Sequence, residues 1–291
     1  TRCSRDWSSD VCSSDLSGIF KVSDVKAILR DAQLAGTANN ADPIEFARMA
    51  ISANQTLGIQ PNRMGQVFGM GTYAGQQGGF EIRDMAKWLP QQMAAAKAAG
   101  FSGESAFAKL AALNQAAVVT AGTRDEAGNN VVNLLGKMAS MDTVKDFRKA
   151  GVDLPKNFAE GRLKGLDALD VLANTLNTQL AKDKNYQRVQ AQLKTAKDGS
   201  ERESALRSVS DIAQGTVIGR FFQDRQALMA LYGYMNGRSR VTDIAAGAMQ
   251  NTDAAQRNME LIRETPSFQL QRAQQEKDIA LQDSVNKFAP A

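Results

Sequence analysis

The sequence predicts an all-α protein, a multi-helix bundle of short amphipathic helices that ends in a polar helical arm. Apolar residues recur at the three- and four-residue spacing of a helix face, most clearly at Leu166, Leu169, Leu172, Leu176 and Leu180. Segments with this spacing are separated by turns that contain Gly or Thr. No run of alternating β-branched residues bounded by turn residues indicates a strand.

The first helices are marked by the residues at their starts. Val22 to Leu29 carries the first apolar stripe. Asp42 then precedes Pro43, which places an acidic N-cap before a proline at the first helical position. A turn at Gln60–Asn62 leads into a further helix that begins near Met64.

The stretch Gly69–Gly79 holds five glycines in eleven residues. Its spacing is not that of a dinucleotide-binding loop, and no strand precedes it, so a phosphate site is not expected. The stretch is interpreted as a flexible turn, or as glycines that let helices approach closely.

The stretch Gly78–Met138 has the clearest helix start and stop signals in the chain. Pro90 is predicted to stop or kink one helix after Leu89, and Gly100 fits a helix C-cap. Thr123 precedes Glu126 by three residues, which is the spacing of a capping box. The flanking stripes consist of Phe107, Leu110, Leu113 and Ala117, and of Val131, Leu134, Leu135 and Met138.

The second half of the chain alternates between apolar and polar helical segments. Asp142 and Thr143 open a short helix, and Leu163–Leu180 is predicted as a core-facing helix, since its leucine repeat is too short for a zipper. Lys182–Glu203 is charged and is predicted to form a solvated helical hairpin. Its basic residues alternate with Asp and Gln, which does not favour nucleic-acid binding. A shared face follows at Phe221, Leu228, Leu231, Tyr232 and Met235.

Beyond Val241 the chain is rich in Gln, Asn, Glu and Arg, and Pro266 divides this part in two. A helix this polar either bridges solvent or packs against a partner. Residues 241–291 are therefore predicted to form a polar helical arm, or a linker to a missing region.

Residues 1–16 are predicted to be a non-native tail. Arg5–Leu16 resembles a sequencing-library adapter translated in frame, and such segments are excluded from fold reasoning. Because the first residue is not Met and this segment marks the edge of a read, we expect an N-terminally truncated fragment. Both cysteines, Cys3 and Cys12, fall in this tail, together with Trp7.

The remaining chain, from Ser17, has neither cysteine nor histidine. It therefore lacks a thiol nucleophile, an imidazole base and a Cys/His zinc site. Leaving out the two arginines and three aspartates of the tail raises the formal net charge from +4 to +5, which is mild for this length. No run of eighteen apolar residues predicts a membrane span.

Catalysis would have to use carboxylates, Lys, Tyr or Ser. The acidic candidates are Glu81, Asp84, Asp125, Glu126, Asp167 and Asp170. Most of them stand at helix caps or on hydrophilic faces, where the helix dipole and solvation explain them. We therefore expect no enzyme, and no catalytic, cofactor-binding or metal-binding residue.

The chain resembles the core of the phage tail tape measure protein family from about Ser23 to Leu281. The resemblance is one of order and spacing, and it rests on GGFEIRDMAKWLPQQMAAA, AAGFSGESAFAKLAAL, TAGTRDEAGNNVVNLLGKM, GVDL at Gly151–Leu154 and GRFFQDRQALMAL. It implies that residues 17–240 are a helical tape-measure core.

Members of that family occupy the lumen of the growing tail tube, set its length and are expelled towards the host envelope. The resemblance implies a structural phage or prophage tail protein that sets tail length and helps tail assembly and genome delivery. It implies assembly in the bacterial host cytoplasm and location in the virion tail lumen. The implied partners are the tail tube protein, tail assembly chaperones, other copies of itself and the host envelope during ejection, without a specific nucleic-acid site. The alternatives are a stand-alone helical protein-binding module, or a fragment adjoining a cell-wall-degrading domain.

Overall fold

The computed structural model describes residues 20–138, 140–182, 184–195, 201, 204 and 224–288. All regular structure in these ranges is helical, which confirms the all-α prediction. The α-helices are α1 Val22–Ala38, α2 Pro43–Leu57, α3 Met64–Gln76, α4 Ile82–Ala98, α5 Gly103–Ala117, α6 Arg124–Met138, α7 Met141–Lys149, α8 Leu154–Leu163, α9 Ala168–Leu180, α10 Lys184–Thr195, α11 Arg225–Gln250, α12 Ala254–Arg263 and α13 Pro266–Phe288. Two short 3₁₀ helices cover Pro61–Arg63 and Val118–Thr120.

Helix α5 lies at the centre of the bundle. From Ala106 to Ala117 every residue except Lys109 is buried. Helices α3, α4, α6 and α11 pack around it, and small side chains keep the packing close. A Cβ at Gly233 of α11, for example, would lie 2.5 Å from the Ala116 carbonyl oxygen. The bundle is therefore built on helices that touch through backbone as well as side chains.

Two further layers complete the bundle. Helices α1, α2 and α12 cover one side, where α12 contacts α1 and α3. Helices α7, α8 and α9 form a smaller layer on another side, and α9 turns its leucines inward. Leu169, Leu172 and Leu176 are fully buried, whereas Leu166 precedes the helix in a turn and is half-buried. The core-facing interpretation of this stripe holds for the residues inside α9.

Several caps form as the sequence predicts. The Ile44 amide donates to Asp42 at the start of α2. At the start of α6 the Glu126 amide donates to Thr123, while the Glu126 carboxylate accepts from the amide of Gly122. The short helix α7 begins slightly earlier than predicted, because Ser140 is its N-cap and accepts from the Thr143 amide.

Pro90 is predicted to stop or kink a helix after Leu89. The predicted stop is wrong. Helix α4 continues through Pro90 to Ala98. Leu89 and Met93, on either side of it, are fully buried. The helix ends at the predicted place, since Gly100 takes a positive φ of 86° and the Phe101 amide donates to the Ala96 carbonyl.

The glycine-rich stretch is mostly helix rather than turn. Helix α3 contains Gly65, Gly69, Gly71 and Gly75. A Cβ at Gly69 would lie 1.8 Å from the Thr252 carbonyl oxygen, and one at Gly75 would lie 2.8 Å from the Ile82 amide nitrogen. Of the two interpretations, the close approach of helices is the one that the structure shows.

Helix α11 runs without a break across residue 240. Its later residues Val241, Ile244 and Ala248 are buried, as are Ala254 and Ala255 of α12. The exposed polar arm of the structure is α13.

The domain limits at residues 16 and 240 stay predictions. Some predicted features lie outside the described residues. They are Phe221, the Gly219–Gln223 part of GRFFQDRQALMAL and most of the Lys182–Glu203 hairpin beyond α10.

Candidate functional site

The six acidic candidates fall into two groups on different sides of the bundle. Glu81, Asp84, Asp125 and Glu126 lie around the starts of α4 and α6. Asp167 and Asp170 lie at the start of α9. Each group is held by cations or by backbone amides, so we describe the two in turn.

Arg124 joins the acids at the start of α4. Its guanidinium lies 3.3 Å from Glu81 and 3.2 Å from Asp84. Nearby, Asp125 accepts from Lys87 at 2.6 Å and from the Trp88 indole at 2.9 Å. These two hydrogen bonds lower the pKa of the Asp125 carboxyl below its ordinary value. The acids tie α4 to α6, and the lowered pKa of Asp125 is opposite to the raised pKa of a general acid.

Asp170 is the centre of a denser network between α5, α9 and α11. Its carboxylate accepts from Lys109 at 2.9 Å, from the Tyr234 hydroxyl at 2.5 Å and from Arg238 at 2.6 Å. Lys109 also binds Asp167, whose carboxylate caps α9 by accepting from the Asp170 amide. Three helices are therefore fixed to one another at this point.

The electrostatics of this network are those of a structural ion pair. Burial of Asp170 disfavours its charged form, but the hydrogen bonds from Tyr234 and Lys109 and the charges of Lys109 and Arg238 outweigh burial. The pKa of Asp170 therefore lies below its ordinary value. Burial and the neighbouring Asp170 raise the pKa of the Tyr234 hydroxyl. Near neutral pH the Asp170 carboxyl is therefore ionised and the Tyr234 phenol neutral, so neither of these two groups is poised to exchange a proton there.

Sequence reasoning missed the partners of Asp170 and the buried amides of the core. Gln92 and Asn114 are fully buried and exchange two hydrogen bonds of 2.8 Å. Gln115 donates to the carbonyls of Ala74 and Phe80. The available signal was Lys109, Asn114 and Gln115 interrupting the otherwise apolar run of α5.

The structure also has an exposed surface that the core leaves unpartnered. Among the residues of α13 with described side chains, all are exposed except Phe268, which is half-buried. Leu270, Ile279 and Leu281 are each more than half exposed. Between α13, α1 and α12 lies a groove of about 1120 Å³. This groove is a candidate for contact with another molecule.

Two kinds of site were not found in the part of the chain that the structure describes. No group of three or more His, Cys, Asp or Glu side chains there could hold a metal ion. No helix there is sufficiently long and apolar to span a membrane. The expectation of no catalytic, cofactor-binding or metal-binding residue stays a prediction.

Comparison with known proteins identifies the family. The model of the phage-related minor tail protein family matches residues 14–198, well over half of the chain. The chain belongs to this family. The match covers α1 to α10, which hold all six acidic candidates and most of the bundle, whereas Tyr234 and Arg238 of the Asp170 network lie on α11 outside it. Membership in the phage-related minor tail proteins implies a virion component that contacts other parts of the tail.

One relative bears on the more specific resemblance. The chain is 38% identical over 124 residues to a probable tape measure protein of Burkholderia phage BcepMu. The aligned part covers 42% of this chain and 15% of that protein, so the chain spans a small part of its relative. No solved structure matches the chain. Together with the family match, this relative supports the predicted tape measure resemblance.

Proposed function

We propose that this chain is the folded core of a tail tape measure protein, which sets tail length and helps tail assembly and genome delivery. The similarity to the probable tape measure protein of phage BcepMu carries the proposal. The all-α architecture is consistent with it, because an α-helix adds about 1.5 Å of length for each residue.

The described core is too compact to be the ruler by itself. Its longest helix, α11, has 26 residues and reaches about 39 Å. Helices α3, α4, α6 and α11 pack around α5 and do not extend end to end. We propose that the core is the segment that docks to other tail components, and that helices elsewhere in the full-length protein supply most of the measured length.

The proposed setting follows from that role. The protein would assemble in the bacterial cytoplasm with the tail tube protein, tail assembly chaperones and further copies of itself, and then occupy the tail lumen. It would contact the host envelope during ejection. We propose no enzymatic activity, since all six acidic candidates are engaged by cations, by capped amides or by both.

The test is a change of length in the parent gene. An in-frame insertion of sixty helix-forming residues outside the core should lengthen the tail by up to about 90 Å. Tail length is measured by negative-stain electron microscopy, and an antibody against this chain is used to detect it in purified tails. An insertion that alters the protein but leaves tail length unchanged would contradict the ruler role. Absence of the chain from purified tails would contradict the structural role.

A further inference from the structure

The groove between α1, α12 and α13 has an apolar floor. Leu29 and Leu34 of α1, Met259 of α12 and Phe268 of α13 line it. Met259 is buried, and the other three side chains are half-buried. The groove thus offers apolar surface that a partner could cover without any rearrangement of the core.

The rim of the groove is positively charged. Arg30, Arg263 and Arg272 line it, and the Arg30 and Arg272 side chains are 85% and 70% exposed. Asp31 is the acidic residue among the lining residues; its carboxylate lies 3.7 Å from Arg30 and also accepts from the Gly65 amide of α3. Glu276 pairs with Arg272 at 2.9 Å, so the rim sets three arginines against two acids and keeps an excess of positive charge.

A polar atom in the groove also has no partner. The Gln256 side chain lines the groove, and its Oε1 atom is buried without a hydrogen bond. An unpaired buried acceptor is costly, and a donor from an incoming side chain would satisfy it once the Gln256 side chain turns its buried Oε1 towards the groove. The size of the groove also fits a helix. Its volume of 1120 Å³ is that of about two turns of α-helix with side chains.

We propose that this groove binds an amphipathic α-helix of another protein, whose apolar stripe is flanked by acidic residues. The stripe would cover the apolar floor, and the acids would pair with the arginines of the rim. The inference goes beyond the proposed function and does not depend on it. Binding is measured on the chain itself, whereas the ruler role is measured on assembled tails.

The exposed helices α10 and α13 do not have an excess of acidic residues beside an apolar stripe. Helix α10 has three basic residues and no acidic one, and α13 has three of each sign. A second copy would therefore bring no acidic helix from these parts of the chain. Closure of α13 onto α1 would cover part of the floor, since Ile279 continues the face of Phe268. That closure would also bring Arg272 towards Arg30, and Glu276 of α13 is already paired with Arg272.

The experiment uses two synthetic helical peptides and the full chain. Both peptides carry leucines at i, i+3, i+4 and i+7 and an uncharged fluorescent label. One has glutamates beside the stripe, and the other has lysines. Fluorescence anisotropy should show the glutamate peptide binding at least about tenfold more tightly. In the double variant Arg263→Glu, Arg272→Glu the preference should reverse.

A matched double variant controls for net charge. Arg148→Glu with Arg162→Glu makes the same change on exposed positions of α7 and α8, outside the groove. It should keep the preference for the glutamate peptide, and circular dichroism should show all variants folded alike. Equal binding of both peptides, no binding of the glutamate peptide, or the same reversal in both double variants would overturn the proposal.

Discussion

Gly69→Ala tests whether the glycines of α3 are required by helix contact. In a helix interior, alanine is favoured over glycine by about 1 kcal/mol, so the substitution would stabilise an exposed site. At Gly69 the added Cβ would lie 1.8 Å from the Thr252 carbonyl oxygen. That atom belongs to the backbone between α11 and α12, so a rotamer change cannot relieve the overlap.

The expected change in the free energy of unfolding is the difference between the cost of overpacking and the gain in helix propensity. Overpacking a close contact costs about 1–3 kcal/mol, and a backbone collision belongs at the upper end of that range. After subtraction of the propensity gain of about 1 kcal/mol, Gly69→Ala should lower the free energy of unfolding by about 2 kcal/mol. Urea denaturation followed by circular dichroism at 222 nm measures this quantity.

Gly136→Ala is the matched control. Gly136 lies in helix α6, and a Cβ there would meet nothing within 4 Å. The substitution should therefore stabilise the protein, by up to about 1 kcal/mol. If Gly69→Ala also stabilises the protein, the close approach of α3 to the α11–α12 turn is refuted as the reason for a glycine at this position.

Five further substitutions test the core and its polar networks by the same urea assay. Leu172→Ala should cost about 2–5 kcal/mol because the side chain is fully buried, whereas Leu163→Ala, at an 89% exposed position, should change stability by less than about 0.5 kcal/mol. Equal effects would contradict the packing of α9. Asp170→Asn should cost about 1–3 kcal/mol at neutral pH. Because the pKa of Asp170 is lowered in the folded state, its contribution is present above the unfolded pKa of about 3.9 and is lost as the pH falls through the folded value. The difference from the wild type should therefore shrink below about pH 4, and a constant difference would exclude the ion pair. Asn130→Leu should be neutral or stabilising, since both polar atoms of this buried amide lack a partner, whereas Asn114→Leu should cost about 1–3 kcal/mol by leaving a buried amide unpaired. The reverse order would contradict the hydrogen-bond assignment.

Local signals in the sequence predict the helix starts well. Asp42 and Pro43 act on the amides and the φ angle of their own first turn, and the Thr123–Glu126 pair acts within one turn of α6. Such signals need no knowledge of the rest of the fold. They are for that reason the elements on which the sequence and the structure agree.

Pro90 shows how tertiary packing overrides a local rule. A proline inside a helix costs about 3 kcal/mol, which favours a break in an isolated segment. In α4 the fully buried Leu89 and Met93 lie on either side of Pro90, and the Ser52 hydroxyl of α2 donates to the Pro90 carbonyl. A break would remove these side chains from the core, and their position there is visible only once α2 and α4 are packed together.

The glycines of α3 and the Asp170 network were undetermined for the same physical reason. Gly69 contacts Thr252, and Asp170 contacts Lys109 and Tyr234, which are distant in sequence. Periodicity identifies which face of a helix is buried, but it does not identify what lies opposite. The same residue, Asp170, is consistent with a cap, a catalytic acid or an ion pair until its partners are known.

Helix α13 relates the exposed surface to the proposed partner. It contacts the bundle mainly through α12, and isolated helices are marginal in water because nucleation is costly. Its internal support includes the Arg272–Glu276 pair at 2.9 Å, one helical turn apart. Since α13 forms one wall of the groove, a helix bound there would bury that wall and add the packing that α13 lacks. Binding in the groove and the stability of α13 are therefore coupled, and each increases the other.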